Sequence, residues 1–492
     1  MAVVDDFSVA ASYEVLSRQT YLDVGVDYLA ECEGYELIAL AKEIADRHRL
    51  LLSRCTKKEK AEHVRKAHEF GVLVRAGKSS NTDSLAQRLI DKRWWRRQIS
   101  KKADERREHL AQISKELGRD AGQICCTERT MRLMHERKIK AREFMASSYK
   151  IISSTVGTEN PVFFSLAEVD RNKQSSRLNE LFLDIKALEE IAKSREWEWM
   201  LITLTAAPEY HSNPAMGRNS YDEELKAGMA NRAIASDWKA VRGYLKERGF
   251  KPSESFFGVR VTEVHDDGCP HWHILMFHEL AVLQHVRDAV SGLYKGRPGS
   301  YFEEHKDEII KVGRKEGEDN AAAASSYIFK YLSFALMSDC DDELDLSVQN
   351  RYRCAIKAMG ARQYQMFGVK SSRGKLRALS KVKGKDGVPI NIKAMADSMY
   401  INKVEGDGSD ELERLRRKKQ LDARVAFFLG GSELLSFEYE KYTNSYGEEV
   451  ERVLAIKHVD DEEGVQIGGL TEDIGGAKLE ALLSRQREKC KG

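Results

Sequence analysis

Ser255-Phe256-Phe257-Gly258-Val259-Arg260-Val261-Thr262-Glu263-Val264-His265, followed by Asp266-Asp267-Gly268-Cys269-Pro270 and then His271-Trp272-His273-Ile274-Leu275-Met276-Phe277-His278, is the stretch on which the fold turns. It reads as two strands, Ser255 to His265 and His271 to His278, separated by turn-forming residues. Alternate residues of a strand share a face, so His271 and His273 project side by side while Trp272 points away. Both faces are otherwise apolar, which marks a central strand where an unpaired imidazole is costly. Two imidazoles so placed can hold one divalent cation. A bare His-x-His also fits a core histidine bonded to a backbone carbonyl.

A hard cation such as magnesium or manganese prefers oxygen, so a carboxylate is expected nearby. Glu263 sits among Val259, Val261 and Val264, an odd place for a solvated acid. A five-residue loop, His265 to Cys269, sets Val264 against Pro270 and Glu263 opposite His271. A four-residue loop turns Glu263 to the other face. His265 is the competing third ligand, and an ion pair with Arg260 is the competing use of Glu263.

Working outward, Trp199-Met200-Leu201-Ile202-Thr203-Leu204-Thr205 is a buried strand running into Ala206-Ala207-Pro208. Thr203 and Thr205 can line a DNA groove there, or the strand is simply core. Asp222 to Arg248, Ala281 to Tyr294 and an alanine-rich segment from about Ala321 read as helices. The last carries Ser325-Ser326-Tyr327-Ile328-Phe329-Lys330-Tyr331, whose tyrosines, four apart, stand one turn above the other. A phenolate can attack a phosphodiester, and the phosphotyrosine formed conserves bond energy for rejoining. Lys330 can stabilise the phosphate or the phenolate. Tyrosines at this spacing also serve as ordinary packing residues.

From about Tyr35 to Met145 the chain lacks proline and is rich in Leu, Ala, Lys, Arg and Glu at helical spacing. Ser176 to Arg195 reads as a further amphipathic helix. Strands interleaved with helices and partly joined by a hairpin indicate an α+β sandwich, not a doubly wound parallel sheet. The expected organisation is a helical amino-terminal domain over residues 1–150, a helical connection over 151–196, a catalytic core over 197–385, and a small carboxy-terminal module or tail over 386–492. With 492 residues, 42% hydrophobic and 32% charged, the chain can bury more than one core. Eight scattered cysteines without a CxxC pair fit reduced thiols in a cytoplasm. Met1 to Arg18 lacks a basic start followed by an apolar run, so no secretory signal is expected, and no membrane segment appears.

A net charge of +2 is uninformative, but its distribution is not. Between Arg88 and Arg107 nine basic residues face three acids, and Lys92-Arg93-Trp94-Trp95-Arg96-Arg97 sets rings among guanidinium groups. Such a segment can pair with phosphates and stack on bases. Lys370 to Lys385 holds seven basic residues and no acid.

In chain order, the Leu-Thr strand, the His-x-His strand and the Tyr-x-x-x-Tyr helix resemble the three motifs of the HUH endonuclease superfamily, and more narrowly the phage replication gene A protein family. The resemblance rests on Ile202-Thr203-Leu204-Thr205 with Pro208 and His211, on Asp267-Gly268 leading into Pro270-His271-Trp272-His273, and on Tyr327 to Tyr331. It extends to Gly360-Ala361-Arg362-Gln363-Tyr364-Gln365-Met366-Phe367-Gly368, to Arg93-Trp94-Trp95-Arg96-Arg97-Gln98 and to Cys126-Thr127-Glu128. Leu332-Ser333-Phe334 departs from the Ile-Ser-Lys usual in that family. The resemblance implies a five-stranded antiparallel sheet flanked by helices, a Mg²⁺ or Mn²⁺ ion held by His271 and His273, and nucleophile roles for Tyr327 and Tyr331. It implies nicking of single-stranded DNA at a replication origin to start rolling-circle replication, in the cytoplasm of a bacterial host. No Walker-type phosphate loop is visible, and the resemblance implies a host helicase, with the host polymerase, as the partner. A non-cleaving single-strand binder and a relaxase or transposase of the same superfamily are the alternative readings.

Overall fold

The computed structural model describes residues 26–69, 79–151, 163–214, 219–295, 308–313, 324–336, 344–369, 372–385, 387–401, 410–467 and 473–475, with positions 72, 74 and 77 besides. Met1 to Arg18, Lys370 and the end of the carboxy-terminal region lie outside these residues. The helical amino-terminal reading corresponds to α1 (Val26–Glu31), α2 (Gly34–Leu52), α3 (Lys57–Glu69), α4 (Thr82–Leu89), α5 (Lys92–Ile113) and α6 (Glu128–Ala146). Asp91 caps α5, accepting the Arg93 amide at 2.7 Å, and Thr127 caps α6 through the Thr130 amide at 3.2 Å. Leu37, Ile44, Leu89, Trp94, Trp95 and Ile99 form the core of this layer.

After the short strands β1 (Ser148–Ile151) and β2 (Phe163–Ser165), the long helix α7 (Leu166–Ser194) leads into the sheet. Its strands are β3 (Glu198–Thr205), β4 (Phe256–Val264), β5 (Pro270–His278), β6 (Ile310–Val312) and β7 (Tyr364–Phe367). The five pair in the order β6-β3-β5-β4-β7, every pairing antiparallel. The structure therefore has the expected α+β architecture, with helices on both faces. On one face Met200, Ile202, Leu204, Phe256, Trp272, Ile274 and Met276 pack against α8 (Ala227–Glu247) and α9 (Val282–Tyr294). On the other, Leu201, Phe257, Val259, Val261, Leu275 and Phe277 pack against α7 and α10 (Ala324–Leu336). Such two-sided cover explains why β4 and β5 read as nearly continuous apolar runs rather than as alternating ones.

The second face changes character along its length. Towards the turn joining β4 and β5, Leu275 gives way to His273 and His271, Leu201 to Thr203 and Thr205, and Val261 to Glu263. Polar groups thus gather at one end of an otherwise oily layer. That turn is gripped from outside the sheet: the Cys125 amide donates to Asp266 O at 2.7 Å, and Gln112 Nε2 at the end of α5 donates to Asp267 O at 3.1 Å. Gly268 supplies the positive φ of 83° that the turn needs.

Beyond α11 (Val348–Ala358) and β7 the chain forms α12 (Ser372–Val382), α13 (Ile390–Met399), α14 (Asp410–Leu429), β8 (Leu435–Thr443), β9 (Glu449–His458) and β10 (Val465–Gln466). Leu379, Ile392, Phe427 and Ile456 give this part its own core. It is bound into the body rather than hanging as a tail. Arg424 of α14 donates to buried Asp184 of α7 at 3.1 Å, and Arg88 of α4 donates to Glu448 Oε2 at 2.7 Å. No described helix is long and apolar enough to cross a membrane.

Candidate metal and tyrosine site

Register decides which face Glu263 takes. Glu263 pairs with His271 and Val264 with Pro270, and Thr203 pairs with His273 on the other side of β5. Residues directly opposite in neighbouring strands point to the same side. His271, His273, Glu263, Thr203 and Thr205 therefore share one face. Glu263 Oε2 lies 3.1 Å from His271 Nε2 and 2.9 Å from His273 Nε2, and the two nitrogens are 3.0 Å apart. Among the described residues this is the one group of three potential ligands close enough to hold a metal ion. Cis ligands about an octahedral hard cation, each bound at about 2.0–2.1 Å, lie about 2.9 Å from one another. Both histidines are buried. The donor set and its spacing fit a divalent cation.

Burial pushes the Glu263 carboxyl up, but the hydrogen bonds from His271 and His273 outweigh it and hold the group at about 2. Burial pushes His273 down, opposed by its bond to Glu263, so the ring is neutral and able to ligate at neutral pH. The competing uses of these residues have other homes in the structure. Arg260 lies on the opposite face, 3.7 Å over the Trp272 ring, with hydrogen bonds to Thr262 and Gln365. His265 is outside the ligand group, its ring centroid 4.2 Å from that of His271.

Helix α10 brings Tyr331 over the same end of the sheet, with Tyr327 one turn back towards Trp199. Its buried stripe, Ala324, Ile328 and Leu332, packs on the sheet face, and Ser325 Oγ donates to Glu189 Oε2 of α7 at 2.7 Å, pinning the helix. The Tyr331 ring stacks on His273 with centroids 4.0 Å apart and planes 26° apart. Tyr327 lies 6.4 Å from Tyr331 and 6.1 Å from Trp199, ring to ring. Burial, with Tyr327 and Glu263 nearby, pushes the Tyr331 phenol up to about 12. Lys330 is exposed on the outer flank of the helix with Ser326, away from the buried stripe.

The proposed DNA-contacting residues divide. Thr203 Oγ1 lies 3.2 Å from His273 Nδ1, placed to fix that ring, while Thr205 remains half-buried on the same face. Arg93, Arg96 and Arg97 are exposed on α5. Trp94 and Trp95 are a correction: at 6% and 0% exposure they belong to the helical core and cannot stack on bases. Trp95 Nε1 donates to Leu89 O at 2.7 Å, and its ring stacks on His48. Sequence reasoning missed the cluster behind the site, where His211 Nδ1 lies 3.1 Å from Asp267 Oδ2 and its ring stands edge-on to His265 at 5.0 Å. Four histidines in two short motifs were the available signal.

Fold and site together describe an α+β protein whose sheet presents two imidazoles and a carboxylate at one end, with a helix that stacks a phenol on one of the imidazoles and carries a second phenol one turn away. Residues 73–368, more than half of the chain, match the bacteriophage replication gene A protein (GPA) family, and the chain belongs to that family. It is 25% identical over 397 residues to the replication protein of Haemophilus phage HP1 (strain HP1c1), covering 77% of this chain and 47% of that protein. It is 27% identical over 304 residues to the replication gene A protein of Escherichia phage 186, covering 57% of this chain and 41% of the relative. A probable replication endonuclease from a prophage-like region of Shigella boydii serotype 4 (strain Sb227) is 27% identical over 195 residues, covering 39% of this chain and 23% of that protein. The chain thus spans less than half the length of these curated relatives. No solved structure matches it.

Proposed function

We propose that the chain is a rolling-circle replication initiator that nicks and rejoins single-stranded DNA at an origin through a tyrosine, with a divalent cation at Glu263, His271 and His273. The observation that carries this reading is the stacking of Tyr331 on His273, 4.0 Å between centroids, which sets a phenol beside the convergent donor triad. A bound Mg²⁺ or Mn²⁺ would supply positive charge to polarise the scissile phosphate. The phenol of Tyr331 or Tyr327 loses its proton and its oxygen bonds to phosphorus. The bond from phosphorus to the 3′ oxygen breaks, leaving a 5′-phosphotyrosine and, after protonation, a 3′ hydroxyl. That hydroxyl can prime a host polymerase, with a host helicase opening the duplex. The second tyrosine cleaves the regenerated junction, and the freed 3′ hydroxyl attacks the first phosphotyrosine to reseal the strand. The names carried by the relatives, replication protein and replication endonuclease, support the reading. We place the reaction in the cytoplasm of a bacterial host.

Labelled single strands from the candidate origin region, incubated with the full chain and Mn²⁺, test it. A covalent protein–DNA adduct is expected, abolished by a chelator and by Tyr327→Phe combined with Tyr331→Phe. An undiminished adduct in the double variant removes both tyrosines from the chemistry. DNA binding without any adduct favours a non-cleaving replication factor.

A further inference from the structure

The two histidines that share Glu263 differ behind their rings. Nδ1 of His273 has the Thr203 hydroxyl at 3.2 Å. Nδ1 of His271 is buried and has no hydrogen-bond partner among the described residues. A histidine that ligates a metal through Nε2 carries its proton on Nδ1, and that N–H ordinarily donates to an oxygen or nitrogen acceptor that fixes the ring. Among the described residues His271 has no such acceptor. It has instead the ring of His265, centroid to centroid 4.2 Å and tilted by 45°, whose Nε2 is also buried and without a partner. Two orphaned ring nitrogens on adjacent imidazoles are complementary, because a neutral imidazole is a donor at one nitrogen and an acceptor at the other.

His265 is itself held in place. Its amide donates to Cys269 O at 2.8 Å and its carbonyl accepts from the Gly268 amide at 2.9 Å, both within the turn. The His211 ring stands edge-on to it at 5.0 Å, and His211 Nδ1 lies 3.1 Å from Asp267 Oδ2. Asp267 is anchored in turn, its Oδ1 accepting from the Cys269 amide at 3.0 Å. A carboxylate, His211, His265 and His271 thus stand in file, ending at the Glu263 donor group. We propose that His265 is a positioning residue for His271: with a metal bound, the two rings, which make no hydrogen bond to each other in this structure, turn so that Nε2 of His265 accepts the Nδ1 proton of His271 and holds Nε2 of His271 towards the metal. This rests on the reading of Glu263, His271 and His273 as a metal site.

The test is Mn²⁺ titration of the full chain, with free Mn²⁺ followed by electron paramagnetic resonance. His265→Phe keeps a ring that can pack on His271 but offers no acceptor, whereas His265→Gln restores an acceptor oxygen without the ring. Expected is a loss of Mn²⁺ affinity of about 10- to 100-fold for the phenylalanine variant, with the glutamine variant recovering most of it. Mn²⁺ binding to the phenylalanine variant as tight as to the wild type overturns the positioning role while leaving the metal site standing. Equal weakness of both variants, each folded by circular dichroism, also overturns it, because ring packing alone then matters. A wild type that binds no Mn²⁺ removes the metal site itself. Should the phenylalanine variant not fold, the histidine ¹⁵N resonances of the Mg²⁺-loaded wild type decide. A proton on Nδ1 of His271 hydrogen-bonded to an acceptor at His265 supports the role, and Nδ1 unprotonated overturns it.

Discussion

Glu263 is the residue on which ligand geometry and charge meet. It brings the negative charge to a group of two imidazoles, and its Oε2 is equidistant from both nitrogens to within 0.2 Å. Glu263→Gln keeps the shape and one oxygen but removes the charge that a hard cation seeks. Mn²⁺ affinity is expected to fall at least about tenfold, by analogy with the cost of disturbing an outer partner alone. The metal-free melting temperature is expected to fall as well, because the hydrogen bonds from His271 and His273 that hold the carboxyl at about 2 favour the ionised group in the folded state. Calorimetric titration checks this, and an unchanged affinity removes Glu263 from the site in favour of another ligand. The sequence alone left this residue between two faces, since a five-residue turn sets it opposite His271 and a four-residue turn on the other side; the register in the structure is that of the five-residue turn. Trp94 and Trp95 were misread for a different reason. Their basic neighbours suggested stacking on bases, but Trp94, Trp95, Ile99 and Ala103 form one buried stripe on α5, and the same helical period puts Arg93, Arg96 and Arg97 in water.

Between elements, the contact of the β8–β9 turn with the amino-terminal helices has a definite acid signature. Glu448 accepts from Arg88 Nη1 at 3.0 Å and Nη2 at 2.7 Å, from Ser84 Oγ at 3.1 Å and from Asn444 Nδ2 at 2.8 Å. The Arg88 hydrogen bonds hold its carboxyl down, against burial, from the usual 4.5 to about 2. The folded state therefore keeps this group ionised at pH values where the unfolded chain has protonated it. Its stabilisation is complete above about pH 4.5 and is lost as pH falls towards 2. Glu448→Gln, which leaves Arg88 without its partner, is expected to cost about 3 kcal/mol at neutral pH. Melting temperatures of wild type and variant should converge as pH drops below 4.5, and a gap that stays constant down to pH 2.5 contradicts the assignment. No sequence pattern announces this contact. Its partners lie 360 residues apart, and the charge runs around them look like ordinary solvated faces. The strands and helices around the site were readable from local periodicity, whereas the seating of α10 over β5 depends on the Ser325–Glu189 bond and on packing against α7, both long-range.

At the scale of the molecule, one helix joins the basic surface to the histidine end of the sheet. The carboxy-terminal end of α5 holds the β4–β5 turn through Gln112, and its first turns carry exposed Lys92, Arg93, Arg96 and Arg97. Twenty residues of α-helix at about 1.5 Å each separate the two ends by roughly 30 Å. If DNA is cut at the Glu263 group, as proposed, it reaches the arginines only through nucleotides well removed from the scissile bond. Contacts of that kind position the strand through phosphates and carry no base sequence. Arg93→Ala, Arg96→Ala and Arg97→Ala combined are expected to weaken binding of a long single strand and to lower the slope of log affinity against log salt by about 0.7 for each phosphate that is no longer neutralised. Because these side chains point into solvent, the triple variant should melt within a few degrees of the wild type. Adduct formation on an oligonucleotide too short to span the distance should keep its wild-type rate, while the long strand should need more protein to reach the same yield. Equal impairment on short and long strands would place the arginines at the scissile phosphate. An unchanged salt slope would mean that DNA leaves the sheet along another path, for which exposed Arg377 and Lys381, one turn apart on α12, are the next residues to vary in the same assay.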